Sequence, residues 1–532
     1  VRRRGFASSP RAHLSRSTRL ALATTLAAAA LAGCTAGPST RPEVIVNDGT
    51  GAHQSSQAPP PPPAVPLPAL TPPQSPSIRW SDCTQDTRDR LGQPGVPDNL
   101  AFSCGKVNST LDSPDLPNRG LARIAVLKVG TGPIPLVVVN DIAGDPGTLY
   151  AARLAAVAPP ALLQKFSLIG VDRRGTGQSM PMMCVPAGVR QDLLDQDPAS
   201  GDLDGILQAA RRAGQQCAID LDTATTALDS WRTAADLDQV RQQLGMTKLN
   251  AFGHGDGSKV LSEYAVRYPG QVGRFALDGV PDPSTDAAAV LDSVAAGLQA
   301  TVTAFGQDCA QRGCALGADA GTAIGALVTK VRATPLITQD GSSAGPGLTL
   351  SAISAGLAQR ARWPELADAI SAAVAGDFTK LEVFSDPLSQ ETRLNPSRLD
   401  ATIATKCNDS ATRMPADQIT KVIQTLRQKY PLFGDFTARQ LAWCLPWQGR
   451  SEPLPAAGAP GAPPILVAST VVDPVTPGDG TSKAADQMPS AVQISWQGAG
   501  HGAFGNSTCA TDAISSFLVD GTVPRDGTLC PA

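Results

Sequence analysis

Lys248-Leu249-Asn250-Ala251-Phe252-Gly253-His254-Gly255-Asp256-Gly257 is the stretch that decides how this chain folds. Residues 248–252 read as a short buried strand, and residues 258–268 carry the pattern of a helix. The chain must therefore pass from strand to helix within a few residues, three of them glycine. A turn that sharp forces its central residue into a strained backbone conformation, which glycine adopts at positive φ without cost. Glycines on either side let the strand and the helix approach closely.

Outward from this turn the pattern repeats. Apolar runs of strand type at 122–129, 136–140, 166–171, 248–252, 275–278, 465–469 and 492–496 alternate with helical stretches, including 236–244 just before the turn. Buried runs separated by helices predict a mostly parallel sheet covered on both faces, an α/β fold. Between residues 284 and 447 the character changes to Ala-rich amphipathic segments at 287–305, 348–362, 364–374 and 416–430, after which strand sequence resumes at 464. That order predicts a sheet interrupted by an inserted helical cap. The organisation expected is 1–33 leader, 34–77 tether, 78–283 first part of the core, 284–449 cap, and 450–532 second part of the core.

The strand, tight turn and helix match the frame of an α/β-hydrolase nucleophile elbow, G-x-S-x-G, with Gly255 where the serine belongs. Other motifs follow in order: Gly144-Asp145-Pro146-Gly147 after a strand, Asp172-Arg173-Arg174-Gly175-Thr176-Gly177-Gln178-Ser179, Asp236-Leu237-Asp238-Gln239-Val240-Arg241, and Leu277-Asp278-Gly279-Val280. Val472-Asp473-Pro474-Val475-Thr476-Pro477 and Gly498-Ala499-Gly500-His501-Gly502 close the series. Together these resemble the tripeptidyl-aminopeptidase-like branch of the α/β-hydrolases, secreted exopeptidases related to proline iminopeptidase. The resemblance implies an α/β-hydrolase fold with Asp473 and His501 at the triad acid and base positions. It also implies an oxyanion loop containing Gly144 and Asp145, with the second oxyanion N–H on Asp256.

A serine hydrolase needs a hydroxyl within reach of its histidine, and Gly255 offers nothing to deprotonate. Ser258 lies about one helical turn too far along, and Asp256 falls one place late. Asp145 and Asp256, if they face the pocket, add negative charge where an oxyanion would form; the alternative is that both point to solvent or cap a helix. His254 either packs or faces the emptied site. The expected function is a non-catalytic scaffold that binds a peptide, a lipid or an envelope protein. The alternative is an active exopeptidase or esterase using another nucleophile or a water activated by His501.

The first residues hold Arg2, Arg3, Arg4, Arg11, Arg16 and Arg19 without an acid, and an apolar run at 20–31 ends in Leu31-Ala32-Gly33-Cys34. This reads as a lipoprotein signal with Cys34 as the lipidated residue, giving an exported protein held by a lipid anchor on the outer face of the cytoplasmic membrane. Residues 35–77, rich in Pro, Ser and Gly, read as an extended tether. A net charge of -3 with no basic stripe argues against nucleic acid, and no second apolar run suggests a membrane span. Apart from Cys34 the cysteines are Cys83, Cys104, Cys184, Cys217, Cys309, Cys314, Cys407, Cys444, Cys509 and Cys530, an even set that predicts disulfides between sequence neighbours. With four histidines and no Cys-x-x-Cys pair, no metal site and no cofactor are expected.

Overall fold

The computed structural model describes residues 65–92, 95–392, 394–410, 413–447 and 458–532. The leader, Cys34, most of the tether and the expected cap boundary at 449 lie outside these residues. Ten strands form one sheet: β1 (Ser81–Asp82), β2 (Phe102–Thr110), β3 (Leu121–Val129), β4 (Ile134–Val139), β5 (Phe166–Val171), β6 (Leu249–His254), β7 (Val272–Asp278), β10 (Ile465–Val472), β11 (Ala491–Ala499) and β12 (Thr528–Cys530). A separate small hairpin is made by β8 (Leu336–Ile337) and β9 (Ser343–Ala344). The sheet order is β1-β2-β3-β5-β4-β6-β7-β10-β11-β12. Strands β1, β2 and β3 join it antiparallel, and every pairing from β5 to β12 is parallel.

The central strands are buried on both faces, which explains their unbroken apolar sequence: all residues of β4, β5 and β7 are buried. Helices α1 (Gly147–Val157), α2 (Ser230–Gln243) and α3 (Asp256–Arg267) follow or precede these strands. The cap enters between β7 and β10. It contains the long helix Ala287–Arg312 together with Pro346–Ala358, Trp363–Ala375, Thr379–Ser389, Arg398–Asp409 and Ala416–Lys429. By length and composition alone Ala287–Arg312 could cross a membrane. In the fold it buries Leu298, Val302 and Phe305 in the cap interior and is joined to the following turn by Cys309–Cys314.

Two expected boundaries move. Leu67 and Leu70 pack on the core, and Gln74 and Ser77 donate backbone hydrogen bonds to Gly245 and Gln243, so the chain joins the folded unit before residue 78. Residues 182–228, assigned from sequence to the core, pack into the cap cluster. Asp400, fully buried, holds them there by accepting the N–H groups of Cys184 and Val185 and pairing with Arg190. The ten cysteines form five sequential disulfides: Cys83–Cys104, Cys184–Cys217, Cys309–Cys314, Cys407–Cys444 and Cys509–Cys530.

One cap carboxylate holds its proton more tightly than an ordinary aspartate. Burial, and then the neighbouring Glu382 and Asp340, raise the pKa of Asp386 to about 6, and its Oδ1 is buried without a hydrogen-bond partner. The unfolded value is about 3.9. The stabilisation from the tightly held proton is complete below that value and is lost as the pH rises through about 6. Asp386→Asn should therefore match the parent in urea denaturation at pH 4 and exceed it at pH 7.5.

Candidate active site

The elbow is intact as backbone. Gly255 lies between β6 and α3 at φ +56° and ψ −129°, and its N–H donates to the Asp278 carbonyl at 3.0 Å. The flanking glycines are required by contact: a Cβ on Gly253 would lie 2.8 Å from Ser258 Cα, and one on Gly257 would lie 2.4 Å from the Val139 carbonyl oxygen. A Cβ on Gly255 would lie 2.1 Å from both carboxylate oxygens of Asp141. The space of the missing side chain is thus filled by a residue from the loop after β4.

Asp141 makes two short contacts from that position. Its Oδ2 is 2.6 Å from His501 Nε2, and its Oδ1 accepts the Asp256 N–H at 2.6 Å. His501 Nδ1 lies 3.0 Å from Asp473 Oδ2. Asp473 is fully buried and is fixed by the N–H groups of Val475, Thr476 and Gly502. The acid and histidine positions read from sequence therefore converge on Gly255. Between them and the elbow stands a second acid that the sequence analysis did not single out. Burial resists ionisation of Asp141, but His501, His254 and the Asp256 N–H outweigh it and bring its pKa down to about 2. Burial likewise opposes charge on His501, and Asp473 with Asp141 outweighs it, holding the imidazole well above its ordinary pKa. An imidazolium between two carboxylates has no free nitrogen with which to accept a proton.

The expected oxyanion donor on Asp256 is also engaged. The Asp256 N–H is bound to Asp141, and the Ile142 N–H donates to Asp256 Oδ1 at 2.9 Å. Asp256 is paired with Arg173 at 2.5 Å, and Asp145 with Arg153 at 2.8 Å and Arg398 at 2.5 Å. Both carboxylates line the cavity between core and cap, but as ion pairs rather than as uncompensated charge. Their charges are compensated by arginines, and the Asp145–Arg398 pair joins the core loop to the cap. Gly144 supports the loop turn through its N–H to the Asp141 carbonyl. Ser258 is fully buried behind the elbow and is no substitute nucleophile. His254 faces the site: its ring lies 4.3 Å from that of His501 and stacks on Tyr150 at 5.2 Å, and its Nδ1 is 3.4 Å from Asp278 Oδ2.

The remaining motif residues build the frame. Arg174 and Asp236, both buried, form a two-pronged ion pair at 2.8 and 2.7 Å that binds the loop after β5 to α2. Asp172 accepts the N–H groups of Thr148 and Gln178. Above the site a cavity of about 2170 Å³ opens between core and cap, with Leu149, Ile206, Leu298 and Leu388 among its apolar walls and the side chain of Lys406 reaching into it.

This sheet order, elbow and acid–histidine placement define an α/β-hydrolase fold. The family model described as TAP-like protein matches residues 430–530. The chain is 27% identical over 480 residues to the serine protease Hip1 of Mycobacterium tuberculosis, covering 85% of this chain and 91% of that protein. It is 29% identical over 492 residues to a carboxylesterase B of the same species, covering 87% and 91%. It is 26% identical over 481 residues to a tripeptidyl aminopeptidase of Streptomyces lividans, covering 85% and 87%. The chain thus carries a TAP-like match in its C-terminal part and is similar along most of its length to hydrolases of the TAP-like kind.

Because the Asp145–Arg398 pair spans core and cap, Asp145→Ala should loosen the cap without unfolding the sheet. Hydrogen exchange should rise in the helix Arg398–Asp409 and stay unchanged in β4 and β6.

Proposed function

We propose that this chain is an exported ligand-binding relative of the TAP-like hydrolases whose serine chemistry is silent. The observation that carries the reading is the Asp141 carboxylate, which lies where the Gly255 side chain would be and binds both His501 and the Asp256 N–H. Removing the nucleophile left a gap, and the gap is closed by a group that also blocks the base and an oxyanion donor. A single reversal is therefore insufficient to restore acyl transfer.

Five disulfides support export to an oxidising compartment. The reading includes anchoring through lipid on Cys34, with the Pro-rich segment as a spacer to the outer face of the membrane. The ligand is held in the cavity between core and cap, whose walls of Leu149, Ile206, Leu298 and Leu388 suit the acyl chain of a lipid or the apolar side chains of a peptide. Asp145 and Asp256 are paired to arginines and so offer no uncompensated charge to a cationic ligand group.

The purified protein should not react with a serine-directed fluorophosphonate, and Gly255→Ser alone should remain unreactive because its side chain meets Asp141. The double variant Gly255→Ser with Asp141→Gly should label. Labelling of the parent protein, or turnover of peptide or ester substrates lost on His501→Ala, would falsify the silent-site reading and favour an active exopeptidase or esterase.

A further inference from the structure

Three groups at the mouth of the elbow come from three separate parts of the chain, the loop after β4, the end of β6 and the loop after β11, and none is a nucleophile. One donor atom from each of Asp141, His254 and His501 lies within 4.8 Å of the other two. Two imidazoles and a carboxylate are the donor set that binds zinc and its neighbours, with one or more remaining positions left to water or ligand.

The surroundings of each imidazole point the same way. His501 Nδ1 is 3.0 Å from Asp473, and His254 Nδ1 is 3.4 Å from Asp278. Each ring therefore has a buried carboxylate near its Nδ1, and His501 Nε2 already contacts Asp141. A carboxylate behind a metal-bound histidine fixes the tautomer and makes the ligand more basic. His254 Nδ1 is buried and makes no well-formed hydrogen bond. The carboxylates are themselves anchored: Asp278 accepts the N–H groups of Ala503 and Phe504, as Asp473 does those of Val475, Thr476 and Gly502.

The charge balance is incomplete without a cation. Asp141, Asp278 and Asp473 crowd one pocket, and among the described residues each forms its ion pair with a histidine rather than with an arginine or lysine. Lys406 acts on Asp256 and Asp141 only through space. By contrast Asp145 and Asp256, a few residues away, carry arginine partners. Burying carboxylates without full compensation is costly, and a divalent ion would supply the missing charge.

We propose that Asp141, His254 and His501 form a binding site for one zinc-class divalent metal ion, with Asp278 and Asp473 orienting the two imidazoles. The ion takes the place of the proton shared by Asp141 Oδ2 and His501 Nε2. Donors around a tetrahedral zinc sit roughly 3.3 Å apart, from metal–ligand lengths of about 2.0–2.1 Å. The 2.6 Å Asp141–His501 contact must open slightly to admit the ion. Asp141 Oδ1 keeps the Asp256 N–H, and the open coordination positions face the cavity. This goes beyond the silent-serine reading and does not depend on it, since no serine oxygen is present with or without the ion.

The test uses the whole protein in detergent, stripped with a chelator and desalted. Titration calorimetry with Zn²⁺ should give one site per chain, and Co²⁺ should produce the visible bands of a low-symmetry nitrogen- and oxygen-bound ion. Asp141→Asn and His254→Gln should each weaken Zn²⁺ binding at least tenfold, and Asp278→Asn about tenfold or more. Asp386→Asn, in the cap and outside the proposed ligand set, should bind as the parent does. Circular dichroism checks that each variant is folded; the cobalt spectrum of the parent stands as an independent readout should one of them fail. No stoichiometric Zn²⁺ binding, or binding indifferent to both Asp141→Asn and His254→Gln, overturns the proposal. Fluorophosphonate labelling reports on the serine reading alone, so the two can fail separately.

Discussion

The carboxylate of Asp141 can reach within 2.6 Å of His501 only because position 255 has no side chain. Every other feature of the site is arranged around that contact. The Asp256 N–H is turned to Asp141, the Ile142 N–H to Asp256, and Asp256 in turn to Arg173. The result is a chain of hydrogen bonds in which the Asp256 N–H, expected to meet a substrate oxygen, already has a partner. In a buried site, opening such a network for substrate would leave several polar groups unpaired.

Much of the scaffold was legible from sequence because it rests on patterns with a direct physical cause. The two-sided burial of β4, β5 and β7 writes itself as unbroken apolar runs, and the contacts of Gly253 and Gly257 with the neighbouring backbone require glycine. Strand β2 was missed because it is an antiparallel strand near the sheet edge with mixed burial, and Phe-Ser-Cys-Gly-Lys-Val-Asn-Ser-Thr has neither an apolar run nor clean alternation. The residues 182–228 were placed in the core because they precede the elbow in the chain. Only the tertiary bonds of Asp400 and the cap cluster show where they belong.

The site was legible in outline and not in its decisive member. Asp473 and His501 carry loop motifs in the expected order, and Gly255 stands at the centre of a recognisable turn. Asp141 lies in Asn140-Asp141-Ile142-Ala143, just ahead of the loop motif, and an aspartate after a strand carries no signal of its own. A signal did exist in the pairing of two departures: a side chain lost at 255 and an acid gained in the adjoining loop. Reading them together requires knowing that the two loops touch. The same limit hid the partners of Asp145 and Asp256, since Arg398 and Arg173 are distant in sequence and near only in the fold.

The central claim is that the missing side chain of Gly255 and the carboxylate of Asp141 occupy one space. A double-mutant cycle in chemical denaturation measures this directly. Gly255→Ala should cost at least about 2 kcal/mol with Asp141 present, from positive-φ strain and the contact with its carboxylate. In an Asp141→Gly background the cost should fall by about 1 kcal/mol or more, a coupling expected of groups in contact. An equal cost in both backgrounds would mean that Asp141 stands elsewhere, and would contradict the account.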